Sequence, residues 1–254
     1  MSEDLEARVA ALEGALNVFP ATYADAADVD VAWVLLSAIL VFFMQVGFAM
    51  LEVGSVSPKN TKAVLIKNIG DASMGALTWW LLGYGLAYGT DSGGFIGSDN
   101  FALRGKIFQP PGHDSYFAGM KYGEWVFNWA FAATSVTIVS GAIAERVKIV
   151  GYVIYAIVLT SFIYPVVVHW TWHEDGWASP YRSGGEEGQL PLFSGCGAAD
   201  FAGSGVVHMV GGAAALVATI VTKARMNRFR PDGTVNRLPQ QSPALQTLGT
   251  LILW

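Results

Sequence analysis

The chain has 254 residues, of which 53% are hydrophobic and 14% are charged, and its mean hydropathy is +0.41. An average soluble domain has about 25% charged residues, so this composition excludes a disordered chain and argues against an ordinary soluble enzyme. The formal net charge of −5 argues against a nucleic-acid-binding protein, which usually carries a basic surface. The single cysteine, Cys196, excludes an internal disulfide and cysteine-rich metal sites. The composition therefore predicts a membrane protein.

Five apolar runs are long enough to cross a bilayer, which takes about 20 mostly apolar residues. They lie within residues 31–222, at 31–50, 72–90, 125–144, 149–168 and 201–222. The helix of the second run is expected to begin as early as Lys62. A sixth run opens at Ala244 and stops with the chain at Trp254, so residues 244–254 are predicted to start a sixth helix. Because the chain stops inside this run, we expect a fragment or a truncated gene product.

The basic residues predict how these runs are oriented in the membrane. The segments after the first, third and fifth runs hold 10 of the 15 Lys and Arg residues, and the alternate side holds 5. Since Lys and Arg accumulate in cytoplasmic loops, the N-terminal segment 1–30 is predicted to be extracellular and the basic loop 223–243 cytosolic. The acidic N-terminus has no basic stretch followed by an apolar one, so no cleavable signal peptide is expected.

The fifth run contains one ionisable residue, His208, at its eighth position and among small residues. An ionisable group inside a membrane span is costly and indicates function, and an imidazole can relay a proton near neutral pH. The structural alternative is a buried histidine that is hydrogen-bonded to a neighbouring helix. Asp200 lies at the outer end of the same run. It is interpreted either as a helix cap or as a source of negative potential at a cation entrance.

Aromatic residues crowd the outer ends of the third and fourth runs. They are Trp125, Phe127, Trp129, Phe131, Trp170, Trp172 and Trp177. One interpretation is the aromatic belt at a membrane interface, which composition alone favours. The other is a cup for a small cation, in which each ring contributes about 0.5–2 kcal/mol through cation–π attraction.

Other polar residues near the runs receive structural interpretations. Asn68 and Asp71 are predicted to make interhelical contacts rather than to bind ligands. His169 and His173 have the i, i+4 spacing of a metal-binding pair, but no third ligand accompanies them. We therefore predict no metal site and no cofactor.

Seven motifs, in the same order as in the family, resemble the ammonium transporter (Amt) family and most closely its plant- and alga-type branch. They are GFAML from Gly47, GFIGS from Gly94, WAFAA from Trp129, GAIAER from Gly141, YPVVVHW from Tyr164, DGWASP from Asp175 and DFAGSGVVHMVGG from Asp200. The resemblance covers nearly the whole chain. It implies an all-α polytopic membrane bundle, namely the first half of an eleven-helix fold made of two inverted five-helix repeats. It further implies a homotrimer when the protein is complete.

The resemblance also implies roles for individual residues. Trp172 and Phe127 match the outer aromatic cup that recruits ammonium, and Asp200 matches the aspartate below it, which organises the cup. Phe131 matches the outer phenylalanine gate. His208 matches the first of two pore histidines that share a hydrogen bond. The implied function is transport of ammonium as ammonia plus a relayed proton, with methylammonium as a related substrate and no enzymatic reaction.

The same resemblance implies that the rest of the pore lies beyond Trp254. The missing parts are a serine of the cup, the second gate phenylalanine, the second pore histidine and a cytosolic C-terminal tail. We therefore expect residues 1–254 alone neither to fold stably nor to transport. A Rh-type gas channel is one alternative, against which Trp172 argues. An ammonium-binding sensor and a non-transporting partner subunit of an Amt trimer are two others. The plasma membrane is the expected location.

Overall fold

The computed structural model describes residues 7–8, 26–108, 115–182 and 196–254, so most of the predicted extracellular segment lies outside the described residues. The described part is mostly helical and contains one short antiparallel hairpin. This architecture confirms the predicted all-α membrane bundle.

Some of the helices are joined by π-helical turns. In chain order these elements are α1 (Ala26–Ser55), α2 (Thr61–Thr78), a π turn (Trp79–Gly83), α3 (Tyr84–Tyr88), α4 (Ser115–Ile143), α5 (Ile149–Val158), a π turn (Leu159–Ile163), α6 (Tyr164–Trp172), a π turn (Ser204–Met209), α7 (Val210–Thr222) and α8 (Pro243–Leu253). Strands β1 (Asp91–Ser92) and β2 (Ile96–Gly97) form the hairpin between α3 and α4. Short 3₁₀ turns occupy Pro58–Asn60, Phe101–Leu103 and Lys106–Phe108.

Four helical segments of the described residues are long and apolar enough to cross a membrane. They are Asp28–Ser55, Gly119–Ile143, Ile149–Trp172 and Ser204–Thr222. These four segments coincide with four of the five predicted runs. The run at 72–90 lies in the continuous helical segment from α2 through α3, which begins at Thr61 and carries Lys67 and Asp71. This segment is not among the four, so its crossing stays a prediction.

Helix α4 lies at the centre of the bundle and packs against α1, α2 and α7. Its inner side chains are small, with Ala132, Ala133 and Val136 fully buried. Small side chains let helices approach closely in a membrane, where lipid supplies no hydrophobic drive for helix association. The two π turns at Trp79–Gly83 and Leu159–Ile163 lie against each other beside this core.

Helix α8 packs along the other side of α1 through glycines. A Cβ atom on Gly54 would lie 2.6 Å from the Gln246 backbone nitrogen and 2.7 Å from the Ser242 carbonyl oxygen. The Ser242 hydroxyl caps α8 by accepting a hydrogen bond from the Leu245 amide at 3.3 Å, and Pro243 occupies the first turn. The start of α8 can therefore lie against the backbone of α1 because Gly54 has no side chain at the point of contact.

A buried polar cluster joins α1, α2 and α4. The Glu52 carboxylate accepts hydrogen bonds from Ser140 Oγ at 2.9 Å and Asn68 Nδ2 at 3.2 Å, and Lys67 Nζ lies 3.5 Å from it. Lys67 also donates to the Ser140 carbonyl oxygen at 2.9 Å. The cluster balances the buried carboxylate with a cation and two neutral donors, as burial of a charge requires.

A second buried contact extends this cluster to α5. Tyr152 donates to Asp71 Oδ2 at 2.5 Å, and the Lys67 ammonium lies 4.8 Å from the centroid of the Tyr152 ring. These bonds, together with the bond of Asn68 to Glu52, confirm that Asn68 and Asp71 make interhelical polar contacts.

Candidate functional site

An open pocket of about 460 Å³ lies where the N-terminal half of α4 and the C-terminal end of α6, both on the predicted outer side, meet the segment that precedes α7. Its lining residues are Tyr88, Phe127, Asn128, Phe131, Trp172, Tyr181, Asp200, Phe201 and Ala202. Four residues singled out from the sequence, Phe127, Phe131, Trp172 and Asp200, therefore lie around one pocket. We call it the outer pocket.

Three aromatic rings are stacked edge to face along one wall of the outer pocket. The centroids of Phe127 and Phe131 lie 4.9 Å apart at an interplanar angle of 77°, because the two residues are one turn apart on α4. The Phe131 and Trp172 centroids lie 5.7 Å apart at 63°. Such edge-to-face pairs fix ring orientation and leave ring faces free for a cation.

The Trp172 ring is held in place by the backbone of the segment before α7. Its Nε1 donates a hydrogen bond to the Asp200 carbonyl oxygen at 2.6 Å. The ring also packs against Gly203, where an added Cβ atom would lie 3.4 Å from it. Gly203 has a φ of 87°, a left-handed conformation that favours glycine. The sequence motif around Asp200 therefore shapes one wall of the outer pocket through its backbone.

The Asp200 side chain caps the helical segment that contains His208. Oδ1 accepts from the Gly203 amide at 3.0 Å, and Oδ2 accepts from the amides of Gly205 and Val206 at 3.0 and 2.7 Å. These are the free N–H groups that begin every helix. The helix-cap interpretation of Asp200 is therefore confirmed. Asp200 is also one of the residues that line the outer pocket.

His208 lies in the π turn Ser204–Met209, and its side chain is exposed in this chain. Within the described residues its ring has no hydrogen-bond partner. The structural alternative, a buried histidine bonded to a neighbouring helix, is therefore not what the described residues show. Met209 and Phe201 are exposed along with it. Since π turns occur frequently at functional sites, the location of His208 in a π turn favours a functional over a structural interpretation.

Sequence reasoning missed three polar residues of the outer pocket, Tyr88, Asn128 and Tyr181. Tyr88 ends α3, and its hydroxyl donates to Asn128 Oδ1 at 2.7 Å. Asn128 in turn donates to the Glu124 carbonyl oxygen at 2.9 Å. The position of Asn128 between Phe127 and Trp129 was the available signal, whereas nothing local links Tyr88 to α4.

A hairpin clamp lies next to the outer pocket, and we use this name for strands β1 and β2 with their turn (91–97). Trp170 Nε1 donates to the Phe95 carbonyl oxygen at 2.9 Å, and the Trp177 amide donates to the Gly94 carbonyl oxygen at 2.9 Å. Trp170 and Trp177 therefore hold this clamp and do not line the outer pocket.

The Asp91 carboxylate links the hairpin clamp to α6 through His169. Asp91 Oδ1 lies 2.9 Å from His169 Nε2 and accepts from the Gly94 amide at 2.7 Å. Partial burial raises the pKa of Asp91, but the bonds from His169 and Gly94 outweigh it, so the net pKa lies below its usual value. His173 stacks on His169 with centroids 4.3 Å apart. Burial and then the neighbouring His169 lower the pKa of His173.

No group of three or more His, Cys, Asp or Glu residues within the described ranges is arranged to hold a metal ion. The two ring nitrogens of His169 lie within hydrogen-bond distance of the Ala87 carbonyl oxygen and the Asp91 carboxylate. The Nδ1 atom of His173 accepts a hydrogen bond from the Asp175 amide at 3.1 Å. The i, i+4 spacing of these histidines therefore serves ring stacking and hydrogen bonding.

Curated relatives of this chain are ammonium transporters. Ammonium transporter 1 member 1 of Arabidopsis thaliana is 46% identical over 205 residues, which is 81% of this chain and 38% of that protein. Ammonium transporter 1 member 3 of Solanum lycopersicum is 41% identical over 227 residues, or 89% of this chain and 46% of that protein. The chain therefore spans less than half the length of these relatives and matches their N-terminal part.

Solved structures similar to this chain come from the same group of proteins. A structure titled "Sensor Amt Protein" has a TM-score of 0.76 and 32% identity over 90% of this chain and 52% of that chain. Candida albicans Mep2 has a TM-score of 0.66 and 25% identity over 89% of this chain and 46% of that chain.

The family model described as the Ammonium Transporter Family matches residues 32–254. Its relatives are transporters rather than enzymes. Together with the four apolar helices, this match identifies a multi-pass membrane protein. The chain belongs to the ammonium transporter family.

Proposed function

We propose that this chain supplies the recruitment site and half of the pore of an ammonium transporter. The observation that carries the proposal is the outer pocket, where Phe127, Phe131 and Trp172 surround a space beside the Asp200 carboxylate. Aromatic faces attract a small cation, and a nearby negative charge favours its entry. Ammonium is the cation that the names of the relatives specify.

In the proposed mechanism ammonium is partly dehydrated in the outer pocket. Phe127 and Trp172 replace lost water with cation–π contacts, and Asp200 keeps the Trp172 ring in place through its backbone. Carrying a bare cation through an apolar pore is expensive, so the ion gives up its proton before it passes Phe131. His208 and a second histidine outside this chain then relay the proton, so that net charge enters the cell. Ammonia itself follows the apolar path.

The proposal extends to the surroundings of the protein. The bias of basic residues supports an extracellular N-terminus and a cytosolic loop at 223–243 in the plasma membrane. A homotrimer and methylammonium as a second substrate follow from the family resemblance. The exposed apolar face of α1, including Trp33, Ile39 and Leu40, supports contact with lipid or with other subunits.

A half-swap chimaera tests the proposal. In it, residues 1–254 replace the matching N-terminal part of a complete plant relative, and ammonium-evoked current is recorded in oocytes. We expect a saturable inward current with ammonium and none with sodium. A chimaera that reaches the membrane, passes no current and binds no ammonium would contradict the proposal.

The relay is tested by His208→Ala in the same half-swap chimaera. We expect the variant to lose its current or to admit potassium as well, because the proton no longer has a carrier. Current and selectivity equal to those of the parent chimaera would remove His208 from the mechanism.

An ammonium sensor is a second candidate function, favoured by the similarity to the structure titled "Sensor Amt Protein". A sensor binds ammonium at the outer pocket without sustained current. Binding measured by calorimetry together with absent current in the half-swap chimaera supports this function over transport. A partner subunit is the third, and co-expression with a complete subunit followed by an uptake assay distinguishes it from an inert chain.

A further inference from the structure

The fully buried ring of His169 faces hydrogen-bond acceptors on both sides. Its Nδ1 lies 2.9 Å from the Ala87 carbonyl oxygen, and its Nε2 lies 2.9 Å from Asp91 Oδ1. A carbonyl oxygen can only accept a hydrogen bond, so Nδ1 must carry a proton. The remaining question is whether the proton between Nε2 and Asp91 belongs to the ring or to the carboxyl group.

The surroundings of Asp91 assign that proton to the ring. Both carboxylate oxygens accept from the Gly94 amide, at 2.7 and 3.0 Å, which favours the ionised carboxylate. With an ionised Asp91, the imidazole has N–H groups at both nitrogens and is therefore positively charged.

We propose that His169 is a charged imidazolium which, paired with Asp91, positions the last turn of α6 and with it the Trp172 ring of the outer pocket. His169 and Trp172 are three residues apart on α6, so fixing one fixes the turn that carries the other. The hairpin clamp is thereby joined to α6 by an ion pair as well as by the hydrogen bond of Trp170, and to the segment after α6 by that of Trp177. His169 is a positioning residue and does not touch the substrate.

Charged and polar groups surround the pair on the neighbouring elements. They are the stacked His173 just after α6, Glu174 and Asp175 in the turn that follows, the Ala87 carbonyl oxygen on α3, and Arg182, which approaches Gly94. Since the pKa of Asp91 is lowered, the ion pair is present above the ordinary pKa of an aspartate and is lost as the pH falls through the lowered value.

The protonation of His169 is measured by ¹⁵N NMR of the histidine-labelled half-swap chimaera in lipid nanodiscs. The signal that disappears in the His169→Gln variant of the chimaera is assigned to His169. We expect both ring nitrogens of His169 to carry a proton in the folded protein, whereas a neutral imidazole keeps one nitrogen without a proton. A non-protonated ring nitrogen at neutral pH would overturn the inference. This measurement does not depend on transport.

Asp91→Asn separates charge from shape. An asparagine of the same size keeps an acceptor but removes the negative charge, so the His169 ring is expected to become neutral at neutral pH. A ring that remains doubly protonated in this variant would overturn the assignment of Asp91 as its counter-charge.

The positioning role rests on the proposed function and is measured in the half-swap chimaera. For Asp91→Asn we expect the KM for ammonium to rise about tenfold with little change in maximal current, because a neutral contact replaces a charge-assisted hydrogen bond. Asp99→Asn, which removes a carboxylate that bonds Thr90 and does not contact His169, is the matched control. Equal KM values for the two variants would overturn the positioning role. A parent chimaera without ammonium current would instead contradict the proposed function and leave the NMR result standing.

Discussion

The indole of Trp172 performs two separable tasks in the outer pocket. Its ring contacts Phe131 edge to face, and its N–H donates to the Asp200 carbonyl oxygen. In the half-swap chimaera, Trp172→Leu removes both and is expected to raise the KM for ammonium about tenfold or more, given a cation–π contribution of about 1–2 kcal/mol. Trp172→Phe keeps an aromatic face and is expected to have a smaller effect.

Trp177→Leu is the control for these variants. Trp177 is a partly exposed tryptophan that holds the hairpin clamp through its backbone and does not line the outer pocket. Equal KM values for Trp172→Leu and Trp177→Leu would contradict recruitment by the ring of Trp172 and favour the aromatic-belt interpretation.

Asp200 is expected to contribute to stability as well as to binding. Asp200→Ala removes both oxygens that accept from the amides of Gly203, Gly205 and Val206. The loss of such a cap costs about 0.5–2 kcal/mol, so the thermal midpoint of the chimaera should fall measurably. Asp232→Ala, in an exposed turn of the loop at 223–243, should leave the midpoint within about a degree. An unchanged midpoint for Asp200→Ala would contradict the capping role.

At the scale of elements, the contact of α1 with α8 depends on the absence of a side chain. Gly54→Ala places a Cβ atom against the backbone of Gln246 and Ser242, neither of which can move without moving α8. Overpacking of this kind costs about 1–3 kcal/mol. We expect a lower yield of folded protein in fluorescence-detected size-exclusion chromatography.

Gly70→Ala on α2 is the matched control for Gly54→Ala, because nothing lies within 4 Å of an added Cβ atom there. It should fold as well as the parent or slightly better, since alanine favours helix. If both variants fold equally well, the close approach of α8 to α1 is not required for folding.

The polar cluster between α1, α2, α4 and α5 depends on one cation. Lys67→Met leaves the buried carboxylates of Glu52 and Asp71 without it, and removal of one partner of a buried pair costs about 3–5 kcal/mol. Lys62→Met, on the exposed side of α2, removes the same charge without this loss. We expect only Lys67→Met to lower the thermal midpoint strongly, and similar midpoints would show that the carboxylates do not need the cation.

The sequence allowed the helices to be located but not their partners. Runs of apolar residues predict spans because backbone groups in lipid must bond within the same segment. The cap that Asp200 forms is local and was one of two interpretations of the sequence, whereas the contact of Tyr88 with Asn128 and the ion pair of His169 with Asp91 depend on tertiary packing. The role of the pocket residues was accessible only through motifs such as the one that starts at Asp200.

At the scale of the whole molecule, one face of the segment around α7 has no cover within the described residues. Phe201, Met209, Leu216, Val217, Ile220 and Val221 are exposed on it. His208 lies on this exposed segment without a ring partner in the described part of the chain. Residues 1–254 expressed alone and reconstituted are therefore expected to pass no ammonium current, because an ionisable group facing lipid cannot serve a closed pathway. A robust current from this chain alone would contradict the prediction.

The π turns bear on how chain length can vary among relatives. A π turn accommodates one residue more than an α-helical turn, so each is in effect a single insertion absorbed within a helix. Deletion of one residue within Leu159–Ile163 would return that segment to regular α-helix and leave α5 and Trp172 facing the same neighbours. The segment between Phe127 and Phe131 is regular α-helix without an extra residue. A one-residue deletion there would therefore rotate one ring away from the other by about 100° about the helix axis. One-residue gaps in alignments should therefore be tolerated at the π turns and be absent from the outer half of α4.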